Sequence, residues 1–393
     1  IARMPKRDPL SGEGKDLLGD LLRMFDQPRP DRGTNHFTTT LGDRLLRWER
    51  HTEYNRYTFV TAGRPHNWKG QCIPADWLDK MHGEVLVGVR AHVIGAGEGN
   101  RSVDEISAEY FNGNTLIGSR VADNNAVALT DFRIQEDGFS RLLLINEGMS
   151  EQQAGRVMQR LLEIETYRMM ASLALPQARE LAPVLDRDEA ELAAIGEALV
   201  DAESHHEQEW LERLTRLSAS SQVHHQRSNY RFAAADVYYE IVLQRINELR
   251  ETRIHSVQTF EEFTTRRLTP AVKTYRAVSQ RQRSVLEQMA RATKLLSTRI
   301  DISRQRQNQS LLESMNRRAK TQLRLQATVE GLSVAAVTYY VVGLIGILAK
   351  GVQSVGVPMD IKIVTAASIP LVAGLTYFGI HRLRAKISRE DDD

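Results

Sequence analysis

Two regimes of hydrophobic patterning divide the chain. Up to about Asn146, apolar residues come in short β-rich runs at 57–61, 84–94, 115–121, 126–134 and 140–145. Turn chemistry separates them, as at Asn112-Gly113-Asn114, Asp123-Asn124-Asn125 and Glu136-Asp137-Gly138. Asn, Asp and Gly tolerate the left-handed backbone that tight reversals need. The last three runs lie close together and predict an antiparallel meander. Helices are expected at 75–82 and 103–111. Residues 36–149 therefore read as a compact cytoplasmic domain of the α/β or α+β class. Residues 1–35, rich in Pro, Gly, Asp and Arg, read as an extended or weakly ordered arm with one short helix at 16–25.

From Ser150 the period changes. Ser150-Glu151-Gln152-Gln153 has a side-chain acceptor at the N-cap and Gln at N3, the pattern of a capping box. Val157, Leu161, Ile164 and Met169 follow near helical spacing. Pro176 and Pro183 interrupt or kink this pattern. Helical character resumes over 188–217, and the polar run SASSQVHHQRS at 218–228 reads as a break. From Tyr230 a helix is expected up to Thr269-Pro270. Beyond Pro270 the chain has no Pro or Gly until Gly331. Val285, Met289, Ala292, Leu296 and Ile300 form a narrow stripe there, continued by Leu312, Met315, Ala319 and Leu323. Such a stripe needs a partner helix. The partner is either the 230–265 segment of the same chain or a helix of another subunit in a coiled-coil bundle, and the two can coexist. Residues 150–329 thus form a long-helix region.

The last sixty residues carry a third pattern. GLSVAAVTYYVVGLIGILA at 331–349 and IVTAASIPLVAGLTYFGI at 363–380 contain no formal charge. A helix needs roughly 20 apolar residues to cross a bilayer, with about 17 as the lower limit. Residues 330–393 therefore read as a transmembrane hairpin with a short outer loop and a basic tail. A buried hairpin in a soluble protein fits less well, because core helices rarely run this long without a charge. Arg317, Arg318, Lys320 and Arg324 precede the first span, and Arg382, Arg384 and Lys386 follow the second. Positive charge marks the cytoplasmic side. Both termini and nearly all of the protein are expected in the cytoplasm, with the spans in the bacterial inner membrane and the lipid bilayer as the first partner.

Composition narrows the functional classes. The 393 residues have a net charge of +2, which makes no case for nucleic acid. One cysteine, Cys72, excludes an internal disulfide and a CxxC metal site. The first residues, IARMPKRDPLSGEG, lack an apolar core, so no signal peptide is expected. The chain begins with Ile, as for a start at a non-standard codon or inside a longer reading frame.

Three segments are distinctive: RLLEIETYRMMASLALPQARE at 160–180, NYRFAAADVYYEIVLQRINELRE at 229–251 and QLRLQATVEGLSVAAVTYYVVGLIG at 322–346. Together they resemble a bacterial family of predicted membrane-anchored proteins, a domain of unknown function, over nearly the whole chain. That resemblance implies no activity. The overall architecture is also similar to CorA-type magnesium channels. Those are pentamers lined by the first span, with a Gly-Met-Asn motif at its outer end. No Gly-Met-Asn occurs here, and Gly356-Val357-Pro358-Met359-Asp360 is no equivalent. The topology carries over as an analogy, while the ion filter does not.

Candidate chemistry is sparse. In a pore, Ser333 and Tyr340, seven apart, would share the lining face of the first span, with Gly343 permitting close helix approach and Glu330 forming a carboxylate ring at the inner mouth. The simpler assignment is that these small and hydroxyl residues pack the hairpin and an oligomer interface. Neither span holds an Asp, Glu, Lys or Arg, which argues against a proton relay or an ion-coupled transporter. His205-His206 and His224-His225 lack HExxH spacing, and Asp186, Asp188, Glu189, Glu191, Glu197, Asp201 and Glu203 read as a solvated acidic strip before a divalent-cation site. Gly95-Ala96-Gly97-Glu98-Gly99 misses the GxGxxG spacing and reads as a turn, and neither GxSxG nor a motif around His66 and Cys72 marks a nucleophile. No catalytic residue or cofactor is expected, a divalent cation being the one ligand the pattern allows. The expected function is a membrane-anchored, homo-oligomeric interaction or scaffold module. A CorA-like cation channel is the second reading and a membrane-tethered enzyme the third.

Overall fold

A computed structural model describes residues 1–4, 13–31, 33–63, 68, 73–79, 84–99, 101–201, 206–354 and 360–390. The chain divides into two compact units, Ile1–Leu296 and Ser297–Asp393. His66, Cys72, Glu203, His205 and the 356–359 loop, named above from the sequence, lie outside the described residues.

The first unit holds two sheets. β1 (Ala2–Met4), β2 (His36–Leu41), β3 (Arg44–Arg50), β4 (Asn55–Thr61) and β5 (Glu84–Val87) form an antiparallel sheet of order β2-β3-β4-β1-β5. The arm's first residues are extended and supply β1, inserted between β4 and β5, and the expected short helix is α1 (Glu13–Met24), which buries Leu17, Leu18, Leu21 and Leu22 against Leu46, Trp48 and Tyr57. Those leucines follow i, i+1, i+4, i+5, an apolar helix face that stays buried only with the sheet beneath it. Trp77, on the short helix α2 (Ala75–Asp79), closes this core and donates from Nε1 to the Leu17 carbonyl at 2.9 Å.

The second sheet is mixed. β6 (Val89–Gly95) lies parallel to β9 (Ser140–Asn146), and β7 (Ile117–Val121), β8 (Ala126–Thr130) and β9 form the expected antiparallel meander. The run at 84–94 is therefore two strands in two sheets. Gly88 sits at the switch, where an added Cβ would come within 2.9 Å of the Phe139 ring and 3.1 Å of the Gly138 carbonyl. Both faces of this sheet are covered. Ala126, Ala128, Leu142 and Leu144 face one core, and Val127, Leu129, Leu143 and Ile145 face the other. Period-2 alternation between two apolar sets is what a sheet between helical layers requires. A turn, α3 (Ala96–Gly99), follows β6, and α4 (Val103–Phe111), where a helix was expected, packs Ile106, Tyr110 and Phe111 on the second face.

Long helices cover the first face. α5 (Glu151–Ser172) starts at the predicted capping box: Ser150 Oγ accepts from the Gln153 amide, and the Gln153 side chain accepts from the Ser150 amide. α6 (Ala174–Asp201) has Pro176 in its first turn, where a missing N–H costs nothing, and contains Pro183. α7 (Glu207–Leu249) runs without interruption through 218–228, so the expected polar break is corrected. Tertiary partners explain it. Ser221 donates to Asp188 of α6, and Ser228 Oγ reaches both Gln282 Oε1 of the next helix at 3.1 Å and the His224 carbonyl of its own helix at 3.0 Å, so both hydroxyls are satisfied within a continuous helix.

The break falls instead after Arg250, whose φ of 52° ends α7 in the left-handed region. Residues 250–259 run along the open edge of β7, where Arg120 bridges Thr252 and Ile117 bridges Gln258. Glu251 then caps the next helix, α8 (Phe260–Ser354). Its carboxylate accepts from the Phe260 and Glu261 amides at 2.9 and 3.1 Å and from Ser119 Oγ at 2.7 Å. Pro270, expected as a break, lies inside α8. Its partners are settled likewise. Phe260, Leu268, Val272 and Tyr275, upstream of the stripe, pack with Phe232, Tyr239, Val242 and Ile246 of α7. The stripe residues Val285 and Met289 pack with Leu214 of α7 and Ile195 of α6, so the expected 230–265 segment is corrected to two helical partners farther back along the chain.

In the second unit, α8 continues from Ser297 and is followed by α9 (Ile361–Glu390). Residues 331–349 and 363–380 are helical throughout.

Candidate functional site: the apolar helical pair and the polar seams of the body

The apolar pair is built on one packed face of each helix. On α8, Thr338, Val342 and Ala349 are buried, with Gly346 between them. On α9, Val372 is buried, with Thr365, Ser368 and Thr376 half-buried along the same side. The helices meet where a Cβ added to Gly346 would lie 3.6 Å from Thr365 Oγ1. Small and hydroxyl residues allow this approach in an apolar medium. Four hydroxyls bond carbonyls of their own helix: Thr338 donates to Val334 at 2.7 Å, Ser333 to Val329 at 2.8 Å, Thr365 to Ile361 at 2.7 Å and Ser368 to Thr365 at 2.8 Å.

Of the expected pore-facing residues, Ser333, Tyr340 and Gly343 lie on the exposed side of α8, away from the packed face. No atom lies within 4 Å of a Cβ built on Gly343. Glu330 is half-buried at the start of the apolar run. Arg317, Arg318, Lys320 and Arg324 are exposed on α8, and Arg382 is exposed on α9, which also contains Arg384 and Lys386.

The histidine and acidic candidates fall into structural roles in the first unit. His225 Nδ1 lies 3.1 Å from Gln282 Oε1 inside α7–α8, and His206 is exposed just before α7. Asp186 and Glu189 bind Arg281 at 2.6 and 2.5 Å, and Glu191 binds Arg213 at 2.6 Å. These partners hold the Arg281 guanidinium above its ordinary range. No group of three or more His, Cys, Asp or Glu is placed to hold a metal ion among the described residues. Gly95 and Gly97 have open space around them, and the second lies in α3.

Sequence reasoning missed two polar clusters. At the junction of the first sheet with α7, buried Glu53 pairs with Arg231 at 2.6 Å and accepts from the Tyr238 hydroxyl at 2.7 Å. Burial, reinforced by Glu53, pushes the Tyr238 hydroxyl well above the usual phenol range. On the outer side of the mixed sheet, His92 of β6 stacks on Trp68 with centroids 3.9 Å apart, beside Arg90 and Arg141. Burial and the two guanidinium groups push the His92 imidazole down to about 4. Only the tertiary fold joins these residues, so no local spacing announces them.

The fold and this pair define a class: an α+β body carrying long helices, with two helices long and apolar enough to cross a membrane. The chain belongs to the family described as "Protein of unknown function (DUF3422)", whose model matches residues 6–387. Comparison with curated proteins and with solved structures gives no match.

Proposed function

We propose that this protein is a membrane-anchored, homo-oligomeric interaction module of the bacterial inner membrane. α8 and α9 cross the bilayer as a hairpin, and both termini and the α+β body face the cytoplasm. The observation that carries this reading is an imbalance of burial. Only 17% and 6% of the two apolar windows is buried within the chain. Leu332, Tyr339, Leu348, Leu371 and Phe378 are exposed in two segments, 331–349 and 363–380, that carry no formal charge, a surface that water does not tolerate and lipid does. Self-association draws on a second exposure. Leu311, Leu312, Met315, Leu323, Leu325 and Val329 are all exposed along α8, and copies packing side by side would cover them. On this reading the body's role is to bind a partner.

One observation favours the CorA-like channel as a second reading: Ser333, Tyr340 and Gly343 occupy the side of α8 that α9 leaves open, the side a ring of subunits would turn to an axis. The channel would carry a divalent cation past Glu330. Two measurements test both readings. With Cys72 replaced by Ser, an impermeant thiol reagent should label Asp360→Cys in intact spheroplasts; labelling only after lysis overturns the orientation. Native mass in detergent should exceed that of one chain. A monomer overturns the oligomer, and a monomer or dimer overturns the channel.

A further inference from the structure

The foot of the helical pair carries cations that the chain does not use. Arg317, Arg318, Lys320 and Arg324 are exposed, and among the described residues none of them pairs with a carboxylate. They belong to a stretch, 299–324, with seven Arg and Lys against Asp301 and Glu313. Arg317, Lys320 and Arg324 follow at intervals of three and four, so they share one face of α8. Leu312, Met315, Ala319 and Leu323 run along another.

A second helix brings charge to the same level. α8 and α9 approach each other at Gly346 and Thr365, and Ile380 follows Thr365 by as many residues as Gly331 precedes Gly346. Exposed Arg382 lies just past Ile380 on α9, which also contains Arg384 and Lys386. Arg324 is seven residues from Gly331, about 10 Å along a helix. The headgroup layer is roughly 5–7 Å deep on each side of the hydrocarbon, and screening sets in over about 8 Å. Long basic side chains reach toward that layer while their stems lie along the helix.

We propose that these residues form a binding surface for anionic phospholipid headgroups of the leaflet they face. The proposal rests on α8 and α9 crossing the membrane. Arginine forks match phosphate oxygens two at a time, and a basic cluster directly beside a span is the arrangement that recognises acidic lipid. The whole chain has a net charge of only +2, so the cluster is a local feature and not general basicity.

The test uses the full chain in neutral detergent micelles. Added phosphatidylglycerol should raise the Tm of the wild type more than equal phosphatidylcholine does, and 0.5 M salt should remove the difference. R317Q/R318Q/K320Q/R324Q should keep the wild-type Tm in phosphatidylcholine and lose at least half of the phosphatidylglycerol shift. Should that variant not fold, R382Q/R384Q/K386Q carries the same expectation. Equal shifts in wild type and variant overturn the proposal. An equal shift from inorganic phosphate overturns the assignment to lipid. Alkaline carbonate washing separates the two levels of the argument. A wild type that washes off membranes overturns the hairpin together with this inference. A wild type that stays, with no preference for phosphatidylglycerol, overturns the headgroup surface alone.

Discussion

Glu53 and Arg231 stand 178 positions apart in the chain, yet Glu53 Oε1 and Arg231 Nη2 lie 2.6 Å apart in a site where Glu53 is almost wholly buried. Tyr238, two turns along α7 from Arg231, donates to the same carboxylate. The loop between β3 and β4 is thereby tied to the long-helix layer through one side chain.

Removing one member of a buried pair leaves the other without its counter-charge, which costs about 3–5 kcal/mol. Glu53→Ala should therefore lower the unfolding free energy by that order and strand the Tyr238 hydroxyl as well. Glu53→Gln, which keeps an acceptor, should cost less. In the double variant Glu53→Ala, Arg231→Ala, the loss should fall short of the sum of the singles. Thermal and denaturant unfolding measure all three; additive losses would disprove the coupling.

The His92–Trp68 stack predicts a pH dependence of defined sign. The folded imidazole titrates near 4, below its ordinary value of 6.5, so the fold favours the neutral ring. The stabilisation from this group is complete above pH 6.5 and is lost as pH falls from 6.5 towards 4. The wild-type Tm should fall across that window relative to His92→Phe, which keeps a ring on Trp68 and cannot titrate. A constant difference between the two proteins from pH 7 to 4 would refute the assignment. Trp68 fluorescence should report the same titration, with Trp68→Phe as the control.

Gly118 and Gly343 make a paired prediction. A Cβ on Gly118 would fall against the Ala128 carbonyl oxygen of the neighbouring strand and 2.7 Å from Leu129 Cδ2. Backbone cannot step aside, so Gly118→Ala should destabilise by roughly 1–3 kcal/mol. Gly343 has open space within the chain, and Gly343→Ala should leave the unfolding of one chain within about 0.5 kcal/mol. Should Gly343→Ala instead reduce native mass in detergent, the open side of α8 is the subunit contact.

Local chemistry was legible wherever it could be satisfied locally. The β7–β8–β9 meander follows from turn residues between apolar runs, and Asp123, Asn124 and Gly138 in its turns, with Asn112 and Gly113 just before β7, do adopt positive φ. The cap at Ser150 and the helix 103–111 were readable for the same reason: their partners lie three or four residues away. The elements that misled depend on distant partners. Residues 218–228 look like a linker by composition, yet they are helical, with Ser221 donating to distant Asp188 and Ser228 placed between Gln282 and its own helix's His224 carbonyl. Pro270 looks like a terminator, yet the chain turns at Arg250, where Glu251 caps α8 and the β7 edge accepts the loop. β1 is only three residues long and forms because β4 and β5 leave a place between them.

By itself the sequence determined the order of regimes: strands first, helices from Ser150, and two uncharged apolar segments at the end. These are consequences of periodicity and of the absence of charge, which no partner can alter. The tertiary structure alone decided which polar groups are buried together, as Glu53 with Arg231 and His92 with Trp68. It also decided which side of α8 packs on α9 and which side, with Ser333, Tyr340 and Gly343, is left open. Pairing between groups on separate elements depends on the path of the backbone between them, and no spacing in the chain encodes it.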